Sequence, residues 1–239
     1  ENNPSWITGR GWDQNLWPNK QFPDKTEFDK IFPDKPVFLR RIDGHAAIAN
    51  SKALELAGIT AHTKIEGGEV QIKNGETTGI LIDNAMQKIF DIVPELNTQE
   101  IMRLINKAAY NCFEVGLTTV ADAGLEYNEI MLIDSLQRNN QLDMQVYAML
   151  SPTETNFEKF VKKGEYKTSK LQLKSIKLFA DGALGSRGAC LLKPYTDDIN
   201  NFGLILEPIA TYDSILTMAY RHNYQVNTHA IGDSANRLI

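Results

Sequence analysis

Lys177 lies in "LKSIKLFADGALGSRGA", where its apolar neighbours Ile176, Leu178 and Phe179 run into a glycine-rich turn. That pattern reads as a strand of a parallel sheet, covered by helices and without a wet face. An ammonium there carries a desolvation cost of roughly several kcal/mol unless something compensates it. One compensation is chemical. A desolvated lysine has a larger neutral, nucleophilic fraction, so it can capture carbon dioxide as a carbamate, an anionic oxygen ligand for a metal. The other is an interior pair with Asp181, which the alternation of a strand puts on the same face.

His229, in "YQVNTHAIGD", falls on the next strand after the lysine strand. Alternation gathers Gln225, Asn227 and His229 on one face and Val226, Thr228 and Ala230 on the other. A lone histidine is more often a satisfied core residue than a ligand; Lys177 on the adjacent strand favours the ligand reading, because the two then stand side by side above the barrel. His45, in "LRRIDGHAAIAN", is expected at the start of a helix beside Asp43, as a local cap or as a polar group lent to a substrate pocket. Arg187 could clamp a substrate carboxylate in a bidentate way or form a structural ion pair. Asp122, at the end of "TTVADAG", carries a similar ambiguity. Glycines 182, 185 and 188 lack the pattern of a phosphate loop; they serve equally to let a loop pass close to a ligand. His62 and His222 read as surface. No two of the four histidines are spaced by one residue or by three, and no Cys/His cluster has zinc-finger spacing. A complete metal site is therefore not legible; two ligands are.

These residues need elements to hold them. From residue 98 onward helical and extended periods alternate, which makes βαβ units and a parallel sheet. Thr98 is the expected N-cap of the first helix, and strands are expected in "LTTVADAG", "DMQVYAML", "LKSIKLFADG" and "YQVNTHAIGD". The absence of a nucleotide-type glycine turn favours part of a barrel over a doubly wound sheet. A connection of more than twenty residues follows the lysine strand, on the side where barrel enzymes build their active sites. Residues 1–97 differ: they hold all three tryptophans and most prolines, a hairpin signal at Asn74-Gly75, and a short helix expected in "AAIANSKALELAG". They read as an insertion or cap domain, with 98–239 as the barrel part.

Composition narrows the partners. The chain of 239 residues has a net charge of −5 and no basic block, so nucleic acid is not an expected partner. No apolar run approaches the ~20 residues that span a bilayer. Two cysteines are too few for a disulfide framework, and a cytoplasmic protein is expected. Both ends look cut, so the chain reads as an internal piece of a longer protein.

The segments "WITGRGWDQNLWP", "FLRRIDGHAAIANSKALELAGI", "TTGILIDNAM", "GLTTVADAG", "IKLFADGALGSRGA" and "VNTHAIGD" resemble the amidohydrolase family 3 group of metal-dependent hydrolases. The likeness is to its YtcJ-like branch, which includes N-substituted formamide deformylases. The resemblance implies a (β/α)8 barrel, of which this chain carries about strands two to five with an α+β insertion domain. It implies one or two divalent ions, usually zinc, a carboxylated lysine on the fourth strand, matching Lys177, and a ligand histidine on the fifth, matching His229. His45 becomes a pocket residue, and Asp181 and Arg187 join it as expected substrate contacts. The implied reaction is hydrolysis of a C–N bond in a small amide-like substrate. The family's His-x-His pair, a further histidine and a basic aspartate have no counterpart in this sequence, so the piece alone is expected to be inactive. Rival readings are a barrel enzyme that uses Lys177 as base or Schiff-base lysine, and a non-catalytic, regulatory relative. Unpaired strand edges make homo-oligomers conceivable.

Overall fold

The computed structural model describes residues 6–239. The chain divides into two compact units, one of Glu1–Pro94, Phe179–Glu207 and Ala230–Ile239, the other of Glu95–Leu178 and Pro208–His229.

In the first unit, strands β1 (Ile7–Trp12), β2 (Val37–Arg41), β3 (Ala46–Ala49), β4 (Gly68–Lys73) and β5 (Glu76–Asp83) form one sheet in the order β1-β2-β3-β5-β4. Short helices α1 (Thr26–Ile31), α2 (Ser51–Leu56) and α3 (Gln87–Phe90) accompany it. Only β1 and β2 pair in parallel; the other pairs are antiparallel. The central strands β3 and β5 are apolar on both faces. Ala47, Ala49 and Leu81 pack with Phe38, Leu54 and Ile89, while Ala46, Ile48, Ile80 and Ile82 pack with Trp12, Phe22 and Phe28. Such two-sided burial erases the alternation that marks a half-wet strand.

The hairpin expected at Asn74-Gly75 forms between β4 and β5, with φ of 53° and 83° at the two turn residues. Positive φ at both positions is the signature of a type I′ turn. The helix expected in "AAIANSKALELAG" is half right. Its first residues, Ala46–Ala49, are strand β3, and α2 begins only at Ser51. Alanine favours a helix by a few tenths of a kcal/mol, roughly, over most residues; here the pairing of Ala46, Ala47 and Ile48 with Ile82, Leu81 and Ile80 outweighs it. Asn50 ends the strand and caps α2, its side chain accepting from the backbone N–H of Ala53 and of Val37. His45 therefore precedes a strand, not a helix.

The second unit starts with α4 (Thr98–Glu114), whose N-cap is Asn97 rather than Thr98. Asn97 and Glu100 close a reciprocal capping box, and a side-chain amide caps as well as a hydroxyl. Then follow β6 (Thr119–Leu125), α5 (Tyr127–Arg138), β7 (Gln145–Leu150), α6 (Glu154–Lys159), β8 (Tyr166–Lys167), β9 (Leu171–Phe179), α7 (Ile209–Arg221) and β10 (Gln225–His229). α8 (Asp233–Leu238) closes the chain and belongs to the first unit. The second sheet runs β10-β9-β7-β6, with β6, β7 and β9 mutually parallel along that order and the two-residue β8 antiparallel to β9. Val146, Ala148, Leu150, Leu171, Leu173 and Ile176 are buried in it, and α5 buries Ile130, Ile133 and Leu136 together with the polar Asp134 and Gln137. Strand β6 lies at the end of that order and exposes Thr119, Ala121, Asp122 and Ala123. No helix among the described residues is long and apolar enough to cross a membrane.

The long connection after β9 covers residues 180–208. It has little regular structure and is held by bridges between Asp181 and Ile205 and between Tyr195 and Asp198.

Candidate functional site

Lys177 and His229 lie on β9 and β10, neighbours in the second sheet. Lys177 is half-buried, and burial alone pushes its amine below the ordinary lysine range. Its Nζ donates to the carbonyl of Leu178 at 2.8 Å. Its stem passes near Gly124, which has φ of +110° and where an added Cβ would stand 3.9 Å from the lysine Cγ. On β10, Asn227 sends its amide towards Met149 on β7, 3.5 Å from the sulfur. Asp122 sits on the exposed stretch of β6, yet local crowding desolvates its carboxyl enough to raise its pKa, partly offset by the backbone N–H of Ala123.

Among the described residues no group of three His, Cys, Asp or Glu side chains could hold a metal ion. Lys177 and His229 supply two nitrogens. Carboxylation would exchange the lysine nitrogen for carbamate oxygens, and the depressed amine suits that step, which needs the neutral form. The pair fits part of a donor set.

The other expected site residues belong to the first unit. His45 and Asp83 continue the antiparallel register of β3 and β5 by one residue beyond Ala46 and Ile82, so they face each other across the pair. The backbone N–H of Asp83 donates to the His45 carbonyl at 3.1 Å. Their side chains also meet, His45 Nδ1 lying 2.7 Å from Asp83 Oδ1. Asp83 is buried and its pKa is raised, chiefly by desolvation and only partly countered by His45. The Asp43 carboxylate accepts from the backbone N–H of His45 just ahead of β3, where the sequence had suggested the cap of a helix.

Asp181 is fully buried. Its Oδ2 accepts from the backbone N–H of Cys190 and Gly232, and its Oδ1 from that of Ile231. Arg187, at φ 60°, pairs with Asp197 at 2.8 Å and stacks over Phe22. The glycine-rich turn cradles side chains of its own chain. A Cβ on Gly182 or Gly188 would stand 2.2 Å from Asp83 Oδ2, and one on Gly185 would stand 2.7 Å from the Arg41 guanidinium. Arg41 is buried and reaches Asp13 at 2.6 Å, Asp43 at 2.5 Å and Gln14 at 2.7 Å. Neither Asp83 nor Arg41 stood out in the sequence; the one available signal was the Arg40-Arg41 pair ending an apolar strand.

A profile described as the amidohydrolase family matches residues 1–238. The chain belongs to that family. The chain is 31% identical to the putative amidohydrolase YtcJ of Bacillus subtilis (strain 168) across 96% of its own length and 44% of that relative. It is 32% identical to an N-substituted formamide deformylase of Arthrobacter pascens over 49% of its own length and 23% of that enzyme. An uncharacterized metal-dependent hydrolase of Pyrococcus horikoshii superposes with a TM-score of 0.67 at 28% identity, covering all of this chain and 47% of that one. The chain thus spans less than half the length of each of these relatives.

Proposed function

We propose that this chain is the part of a metal-dependent amidohydrolase that carries Lys177 and His229 to a divalent metal centre, zinc by preference, and that the whole protein hydrolyses a C–N bond of a small amide-like substrate. The single observation that supports it is the placing of Lys177 and His229 on adjacent strands of one sheet, within a chain matched by the family along 1–238. In this reading the second sheet is part of a (β/α)8 barrel and residues 1–97 are an insertion. The formamide deformylase relative supports the choice of bond.

In the bound state the metal would polarise a carbonyl and lower the pKa of water. The chain's own contribution is narrower. Desolvation keeps part of the Lys177 amine neutral; that amine adds to carbon dioxide, one N–C bond forms, one proton leaves, and a carbamate anion remains. The imidazole of His229 offers the second donor. His45 and Arg187 are proposed to touch the substrate. Asp181 has its oxygens occupied by three backbone N–H groups, which makes it a support for the loop. With two donors, the 239-residue chain by itself is expected to bind metal weakly and to hydrolyse nothing.

The test uses the full-length protein. Metal analysis should find one or two divalent ions, and Lys177→Ala should abolish hydrolysis of N-substituted formamides, with partial rescue by short carboxylic acids. Metal-free protein of full activity, or borohydride trapping of a substrate on Lys177, would replace this reading with the Schiff-base one.

A further inference from the structure

Two guanidinium groups of the first unit stand side by side without a carboxylate between them. Strands β1 and β2 pair in parallel, and their register sets Arg10 directly opposite Arg40. Their tips converge over Gly44: a Cβ there would lie 3.4 Å from Arg40 Nη2 and 3.6 Å from Arg10 Nη2. Gly44 has φ of +82°, a conformation that suits glycine and so keeps that space open. Like charges directly opposed across two strands are destabilising. Among the described residues neither arginine makes an ion pair to offset this. The acids of the same segments are committed elsewhere, since Asp13 and Asp43 both pair with Arg41.

Arg10 is exposed and donates to the carbonyl of Ile42 at 3.1 Å. Arg40 is half-buried, with its guanidinium carbon over the Phe90 ring at 5.2 Å from the centroid. Its Nε is buried without a hydrogen-bond partner. Burial, and then the charge of Arg10, push Arg40 below the ordinary arginine range. The fold thus desolvates one cation, faces it with a second and neutralises neither, a cost that a bound anion removes.

We propose that Arg10 and Arg40 form a binding site for a small organic acid, its carboxylate bridging the two guanidinium groups and its apolar body resting against Phe90. The planar fork of arginine matches carboxylate geometry. Phe90 keeps 37% of its surface exposed beside the charges, and that apolar border favours an organic acid over a bare inorganic oxyanion. The site lies wholly in the first unit and depends neither on a metal centre nor on hydrolysis.

The test is calorimetric titration of the full-length protein, in chloride-free buffer of low ionic strength, with sodium benzoate and separately with sodium phosphate. Benzoate should bind once per chain, and Arg10→Gln and Arg40→Gln should each weaken it by about tenfold or more. Arg10 is exposed, so its variant keeps the test decisive even where Arg40→Gln fails to fold. Thermal unfolding gives a second reading. Without added anion, Arg10→Gln should unfold at or above the wild-type midpoint, because it relieves the repulsion; at saturating benzoate the order should reverse. Benzoate that does not bind, or that binds the variants as well as wild type, would overturn the proposal. So would an Arg10→Gln variant less stable than wild type without anion, since a carboxylate of the protein itself would then already neutralise the pair. Phosphate bound more tightly than benzoate, with the same dependence on both arginines, would overturn the choice of an organic acid.

Discussion

Replacing Asp181 with alanine removes the acceptor of three backbone donors at once, those of Cys190, Ile231 and Gly232. A buried donor left without a partner costs about 1–3 kcal/mol. The Gly232 contact is buried and bears that cost in full; the Cys190 and Ile231 contacts are part-buried, so water recovers some of it. Counting those two at half gives a destabilisation of about 2–6 kcal/mol, a large share of the ~5–15 kcal/mol that holds an ordinary domain together. Asp181→Asn should be milder. With its carbonyl in the Oδ2 position it keeps two of the bonds and loses the one to Ile231, for about 1–2 kcal/mol. The measurement is a urea titration of wild type and both variants, followed by circular dichroism. Amide exchange at residues 190, 231 and 232 locates the effect. An alanine variant within about 1 kcal/mol of wild type, with those three amides still protected, would show that water or a shifted loop replaces the carboxylate and that the reasoning is wrong.

Arg41→Met should destabilise the chain by about 3–5 kcal/mol, because it strips the buried counter-charge from Asp13 and Asp43; a change under about 1 kcal/mol in the same titration would mean both carboxylates reach water. Gly188→Ala should cost about 1–3 kcal/mol by overpacking against the Asp83 carboxylate, read as a lowered urea midpoint with an unchanged slope. Lys177 should acylate with a pH midpoint below the ordinary lysine range, since burial disfavours its charged form and leaves more free amine at a given pH. Mass spectrometry after brief acetylation across a pH series checks this, and a midpoint within or above that range would contradict it. Gly75→Ala should weaken the β4–β5 hairpin by about 1 kcal/mol, because its φ of 83° suits glycine; an unaltered melting temperature would deny the turn that role.

Much of the second unit was legible because each of its elements announces itself locally. Helices α4, α5 and α7 carry a 3.6-residue stripe, and β7 and β9 are short β-branched or apolar runs between turns. Lys177 was legible for the same reason, as a charge where the pattern demands none. The first unit resisted because its information is nonlocal. Ala46–Ala49 looks like helix in isolation, and only pairing with β5, more than thirty residues away, makes it strand. Asp83 and Arg41 were invisible on similar grounds. Their partners come from remote segments, Asp83 meeting His45 and glycines 182 and 188, Arg41 meeting Asp13, Gln14 and Gly185. The glycine-rich turn was noticed, but its spacing could not say whether it admits a ligand or a side chain of the same chain. Thr98 lost the cap to Asn97 because both can cap, and the choice depends on which residue leaves the helical φ/ψ region.

The slot around Asp83 also limits how this sequence can drift. A methyl group at 182 or 188 collides with the carboxylate, whereas a smaller residue at 83 would vacate the same space. Single changes at any of the three positions are therefore penalised, and paired changes are the open route: alanine at 188 becomes acceptable together with glycine or serine at 83. Such a pair would retain the packing while discarding the carboxylate behind His45. A lineage that took this step would retain a well-packed first unit while losing whatever the imidazole contributes.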